Sequence, residues 1–175
     1  QYVYQHHRLI RRNALGNFKS LLKNITIDPA MLIYLNGQNN NKTAPDENYG
    51  RELQELFVIG KGTNAAYTEE DVKAAAKILT GWRNNNVKLE SYFDLTRHDI
   101  GNKIFSAFYG GKTIAGINNI SAGETEIDQL IEMLLSQKEA ALYLCRRLYT
   151  WFVYYNITPD IEREIIEPLA DIFRK

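Results

Sequence analysis

Helix-start signals punctuate this chain, and after most of them apolar residues return at helical spacing. Asp28-Pro29 sets a capping carboxylate before a proline whose missing N–H a first helical turn does not need, predicting a short helix over 29–35 that Gly37 stops. Pro45-Asp46 opens another, on which Tyr49, Leu53, Leu56 and Phe57 share one arc at 100° per residue, with Gly50 at its border. Those four are expected to be buried and Glu47 exposed, with Gly50 allowing a neighbour to approach closely. Thr68 followed by Glu69, Glu70 and Asp71 caps a third helix, whose stripe is Val72, Ala75, Ala76 and Leu79, reaching Trp82. Thr158-Pro159 opens the last, still running at Lys175.

Residues 2–13 and 15–27 also carry helical spacing, with Gly16 at their junction, as do 124–135 and 138–153, the latter capped by Ser136. Gly37 to Thr43 is asparagine-rich and reads as an exposed loop. From Asn84 the pattern changes. Val87, Leu89, Ser91 and Phe93 alternate with charged or polar neighbours, the period of a strand, and Ile104 to Ile117 is broken by glycines. The fold expected is mainly α: a multi-helix, bundle-like single domain over 1–175, with an irregular or β-hairpin insertion around 84–120.

Composition removes several functions. With 21 basic and 21 acidic residues the formal charge is zero, so no global field holds a polyanion and nucleic acid is not an expected partner. No apolar run approaches the ~20 residues that span a bilayer. The single cysteine, Cys145, sits in an apolar helical stretch and reads as a buried, inert thiol. Arg8-Arg11-Arg12 and Arg146-Arg147 read as solvated or paired with acidic helix faces.

Chemistry concentrates in two places. Glu47, Arg51 and Glu55, four apart, stack on one helix side, with Asn48 and Glu52 between it and the apolar stripe. The pattern suits a solvated face with internal ion pairs, or a polar site in which Glu52 meets a cation near the buried edge. His98-Asp99 offers an imidazole and a carboxylate for acid–base work or a divalent metal, beside Gly101. A histidine-aspartate phosphohydrolase site needs further histidines on other helices, and only His6 and His7 remain. As an ordinary turn, the same pair would have Asp99 accepting backbone N–H bonds. Gly110-Gly111-Lys112-Thr113 lacks the earlier glycine of a phosphate loop, since Ser106 holds that place. In the aromatic run 143–155, Leu144, Leu148, Trp151, Phe152 and Tyr155 share helical spacing and read as a core stripe rather than a sugar platform.

Six ordered motifs carry a resemblance: Asn13-Ala14-Leu15-Gly16-Asn17-Phe18, Asp28-Pro29-Ala30-Met31-Leu32, Glu47-Asn48-Tyr49-Gly50-Arg51-Glu52-Leu53, Tyr67-Thr68-Glu69-Glu70-Asp71-Val72, Leu79-Thr80-Gly81-Trp82 and His98-Asp99-Ile100-Gly101-Asn102-Lys103. In these the chain resembles the bacterial family named domain of unknown function 1800. The resemblance implies an internal piece of a longer protein, exported to the periplasm or cell envelope, and it brings no reaction with it. It favours a polar site, with Glu52, Glu55, His98 and Asp99 as catalytic candidates and Glu47, Asn48 and Arg51 as binding candidates. The function expected is a structural or interaction module of an exported protein, partnered by another protein or by the rest of the full-length chain. A hydrolase-like enzyme built on the Glu/His/Asp set, with a divalent metal as its possible cofactor, and a carbohydrate-binding module are the alternatives.

Overall fold

A computed structural model of the chain describes residues 1–62 and 65–174. These form a mainly α-helical fold with two small antiparallel hairpins. Helix α1 (Tyr2–Asn13) leads to α2 (Phe18–Thr26), which starts later than its spacing suggests because the Asn17 side chain accepts the Ser20 N–H and fixes the cap there. Leu15 is left outside, fully exposed. In α3 (Pro29–Tyr34) the Asp28 carboxylate accepts the N–H groups of Ala30 and Met31 and also meets His6 Nδ1 at 3.0 Å, tying α1 to α3. The turn after α3 is made by Asn36 in the left-handed region, while Gly37 is buried where a Cβ would lie 2.9 Å from the Leu32 side chain.

The asparagine loop is not wholly exposed. Asn40 is buried, its amide donates to Ala76 O, and its side-chain oxygen accepts the Asp46 N–H. That polar staple is the reason an apolar-poor segment runs inward.

Helix α4 (Glu47–Glu52), capped by Asp46, passes into a π-helical turn at Leu53–Val58. A wider turn advances each residue by less than 100°, so the expected face breaks down partway. Tyr49 and Leu53 are buried as expected, but Phe57 is only half-buried, Leu56 is 51% exposed, and Gln54 and Val58 join the interior. Glu47 is half-exposed rather than free of the protein. Gly50 packs on α5 (Glu69–Ile78), where an added Cβ would lie 2.9 Å from Val72 O and 3.0 Å from Ala76 N. Thr68 and Asp71 form the reciprocal cap of α5. Asp71 also accepts the Ser106 N–H, bringing in the segment that follows.

The first hairpin pairs β1 (Trp82–Asn85) with β2 (Glu90–Phe93), so the irregular region starts two residues earlier than its alternation suggests. Gly81 precedes it with φ +92, against Asp94 O. The second pairs β3 (Lys103–Ile104) with β4 (Thr113–Ile114). This region is not peripheral: Phe105, Tyr109 and Ile114 are buried in the main core. Tyr109 donates to Gln54 Oε1, so the π turn and the irregular region share a buried hydrogen bond.

Helix α6 (Ala122–Ser136) buries Ile127, Leu130, Ile131 and Leu134 against that core, and α7 (Lys138–Phe152) follows. Ser136 closes α6 by donating to Met133 O instead of capping α7, which has Gln137 at that position. α8 (Pro159–Ile161), a π-helical turn at Glu162–Ile166 and α9 (Glu167–Phe173) complete the fold, and Lys175 lies outside the described residues.

The stripe expected on α7 turns out to face solvent. Trp151 is 82% exposed, Phe152 and Tyr155 are 76% exposed, and Leu148 is 48% exposed. The buried side is instead Ala141, Leu142 and Cys145, packed on Ile166 and Ala170 as a second, smaller cluster. Small side chains there allow α9 close to the α7 axis, and that choice of face turns the aromatic stripe outward.

Candidate functional site

The candidate residues fall into two polar clusters on different elements. On α4, Arg51 makes a two-pronged contact with Glu69 at 2.6 and 2.8 Å and reaches Glu47 at 3.2 Å, joining α4 to the first turn of α5. The hydrogen bonds it donates to Glu69 hold the guanidinium even more firmly charged, against a small cost of burial. Glu55 meets Lys61 at 2.9 Å, and the Asn48 amide reaches Leu35 O. Glu52 is half-buried and makes no hydrogen bond or ion pair among the described residues. This is the solvated, ion-paired helix face, and Arg51 pairs with Glu47 and Glu69 rather than with Glu52.

His98 lies elsewhere, fully buried beneath the hairpin. A 3₁₀ turn at Leu95–Arg97 and the close packing of Gly81 aim it inward, its ring edge-on to Phe93 with centroids 5.0 Å apart. Nδ1 is 2.9 Å from Thr80 O and 3.1 Å from Thr80 Oγ1. A carbonyl only accepts, so Nδ1–H is the donor to it, and Nε2 is the edge turned toward Glu126. That nitrogen stands 3.2 Å from Glu126 Oε1, off the line of a good hydrogen bond. Glu126 Oε2 takes a 2.7 Å bond from Lys103 Nζ, and Oε1 takes the Ile117 N–H at 2.9 Å. Lys103 also donates to Asp99 O. Asp99 accepts the Gly101 N–H on Oδ1, as the turn reading expects, and its own N–H donates to Thr80 Oγ1.

Electrostatics follow from this enclosure. Burial works to raise the Glu126 carboxyl, but the hydrogen bonds it accepts from Lys103 and the Ile117 N–H, with the His98 ring edge beside it, outweigh burial and hold the group below the ordinary glutamate range. His98, Lys103 and Glu126 side chains are all 0% exposed, so solvent and solutes do not reach them. The carboxylate nearest the imidazole is thus Glu126 on α6, not Glu47, Glu52 or Glu55. Among the described residues no three His, Cys, Asp or Glu side chains converge as a metal would require, and a lysine ammonium occupies one oxygen of Glu126.

The sequence reading missed Thr80 and Glu126 and gave Lys103 no role. Glu126 carried a signal. It stands in register with Leu130 and Leu134 on the apolar stripe of α6, where an acid is tolerated only with buried partners.

Two surface features remain. The end of α7 and the three residues after it present Trp151, Phe152, Val153, Tyr154 and Tyr155 to solvent in succession. Between α1, α2, the π turn and α7 runs an apolar groove of about 340 Å³, floored by Leu21, Ile25 and Met31. No helix among the described residues is long and apolar enough to cross a membrane. Neither a curated protein nor a solved structure matches the chain. The family model described as "Protein of unknown function (DUF1800)" matches residues 1–175, so the chain belongs to that family.

Proposed function

We propose that this protein is an interaction module, a helical scaffold that presents an apolar face to another protein. One observation carries the reading: five consecutive residues, Trp151 to Tyr155, are each more than half exposed although all are large and apolar or aromatic. At roughly 150–250 Å² per ring, the exposed parts of Trp151, Phe152, Tyr154 and Tyr155 alone approach the largest apolar patch a monomer usually shows. The enclosed His98–Glu126–Lys103 cluster supports a structural role over a hydrolytic one, because a general acid or base must touch its substrate. Export to the periplasm or cell envelope rests on the family resemblance, and nucleic acid is not a proposed partner because the chain has no net charge.

Exposed rings also favour carbohydrate as a second reading, since sugars stack on Trp and Tyr faces. Site-specific photo-crosslinking in cells separates the two. A benzophenone side chain in place of Trp151 is expected to yield a discrete protein adduct, and the same group at exposed Lys88 to yield none. Adducts to glycan alone, or equal adducts at both positions, would overturn the interaction reading.

A further inference from the structure

Along α7 a hollow and a protrusion lie on one line. Leu144, Leu148 and Trp151 recur at helical spacing on one face of the helix. Leu144 lines the apolar groove, and Trp151, two turns on, stands 82% exposed beside Phe152. The π turn adds Leu56 to the hollow, a side chain that a regular helix would have buried. Tyr143 ties the two sides of the hollow by donating to Leu56 O. At 1.5 Å of rise per residue, Leu144 and Trp151 are roughly 10 Å apart along the axis.

Charge does not hold two such faces apart. The groove lining contains no carboxylate, and its cationic groups are His6, which Asp28 engages, and Arg147. Arg147 has no ion pair among the described residues; what it meets is the face of the Tyr143 ring, 5.9 Å from the centroid and one turn nearer the helix N-terminus. A planar guanidinium already lying over one ring is suited to stack on a second. The chain as a whole carries no net charge, so no long-range repulsion separates its copies.

We infer that this face binds a second copy of the chain across a two-fold axis near Leu148, the two α7 helices running antiparallel and Trp151 of each copy seated in the groove of the other. The inference rests on the interaction reading and names the partner. A two-fold contact requires one patch to fit itself, and a hollow beside a protrusion on one helix does so when reversed. The area is sufficient. With rings of roughly 150–250 Å², the exposed parts of Leu148 and of Trp151 to Tyr155 reach about 800 Å², the share each partner buries in a standard interface. Long helical side chains lean toward the N-terminus, as Arg147 does toward Tyr143, so in the reversed pair each Arg147 leans away from the axis and toward Trp151 of the other copy. The two like charges thereby separate, and each meets a ring.

Sedimentation equilibrium of the whole chain reads the association. At roughly 50 µM, where a dimer of micromolar affinity is filled, the mass is expected to be twice the 20.2 kDa of one chain. Trp151→Glu on the protrusion and Leu56→Glu in the hollow are each expected to weaken the dimer about tenfold or more. Both variants alter exposed residues, and unchanged circular dichroism checks that they fold. A short bis-maleimide is expected to join two copies of the Leu148→Cys variant and not of Lys88→Cys, which locates the axis. A monomer at that concentration, a dimer indifferent to both variants, or equal crosslinking at the two positions would overturn the inference. So would a monomer captured by phosphatidylglycerol vesicles, which would make the face a lipid contact. A monomer that still gives an adduct at Trp151 to a different protein removes the second copy and leaves the interaction reading standing; a monomer with no protein adduct removes both.

Discussion

Glu126 occupies a core position of α6, and an ionised carboxylate there survives only because Lys103, the Ile117 N–H and His98 surround it. Removing that charge leaves the buried Lys103 ammonium with only the more distant Asp99 carboxylate, at 3.9 Å, so Glu126→Gln is expected to lose about 3–5 kcal/mol at neutral pH. The pH dependence has a definite sign. A carboxyl held below the ordinary glutamate range in the folded state contributes stability that is complete above that range and is lost as pH falls through the folded value. Denaturant titrations of wild type and variant should therefore show a constant gap near neutrality that narrows only in acid. A gap already closing near neutral pH would mean that burial, not the hydrogen bonds, sets the group. Gly50 makes a second residue-scale case. A methyl group there would press on Val72 O and Ala76 N, which are backbone and cannot turn aside, so Gly50→Ala should destabilise by about 1–3 kcal/mol despite alanine's better helix propensity. A melting temperature equal to or above wild type would refute the close α4–α5 packing.

At the scale of elements, the starts of helices were legible in the sequence and their faces only partly so. Asp28, Asp46 and Thr68 make cap bonds with N–H groups two or three residues on, so a local motif is enough to place them. The face that α7 buries is chosen by Ile166 and by Ala170 of α9, well beyond the helix in sequence, and a single-helix wheel weights Trp151 above Ala141 although packing does the reverse. The polar clusters show the same division. The α4 ion pairs follow from four-residue spacing, whereas His98 and Glu126 are 28 positions apart on an irregular segment and a helix, which only the folded chain brings together. The π turn follows this logic and gives a paired prediction. Leu53→Ala, at a buried position before the shift takes effect, should cost about 2–5 kcal/mol, and Leu56→Ala, half-exposed within it, under about 1 kcal/mol. Equal losses in urea titration would restore a regular helix through Leu56.

For the whole molecule, the question is how far its two apolar clusters act together. The larger joins Tyr49, Leu53, Ile78, Phe105 and Leu130 across α4, α5, the irregular region and α6. The smaller is Ala141, Leu142, Cys145, Ile166 and Ala170, three of whose five members are alanine or cysteine. So little apolar area contributes correspondingly little stabilisation, and the polar clasp of Arg146 on Glu139 and Glu162 is partly solvated. The C-terminal pairing of α7 with α9 should consequently open below the free energy of global unfolding. Cys145 reports on this directly: it is 7% exposed, and burial pushes its thiol up and away from the reactive thiolate, so labelling needs an opening event. With a thiol reagent under native conditions, Cys145 should react faster than global unfolding permits, with a weak dependence on urea. Amide exchange in α9 should be similarly fast, while α5 and α6 stay protected. A labelling rate with the urea dependence of complete unfolding would instead make the two clusters one cooperative unit.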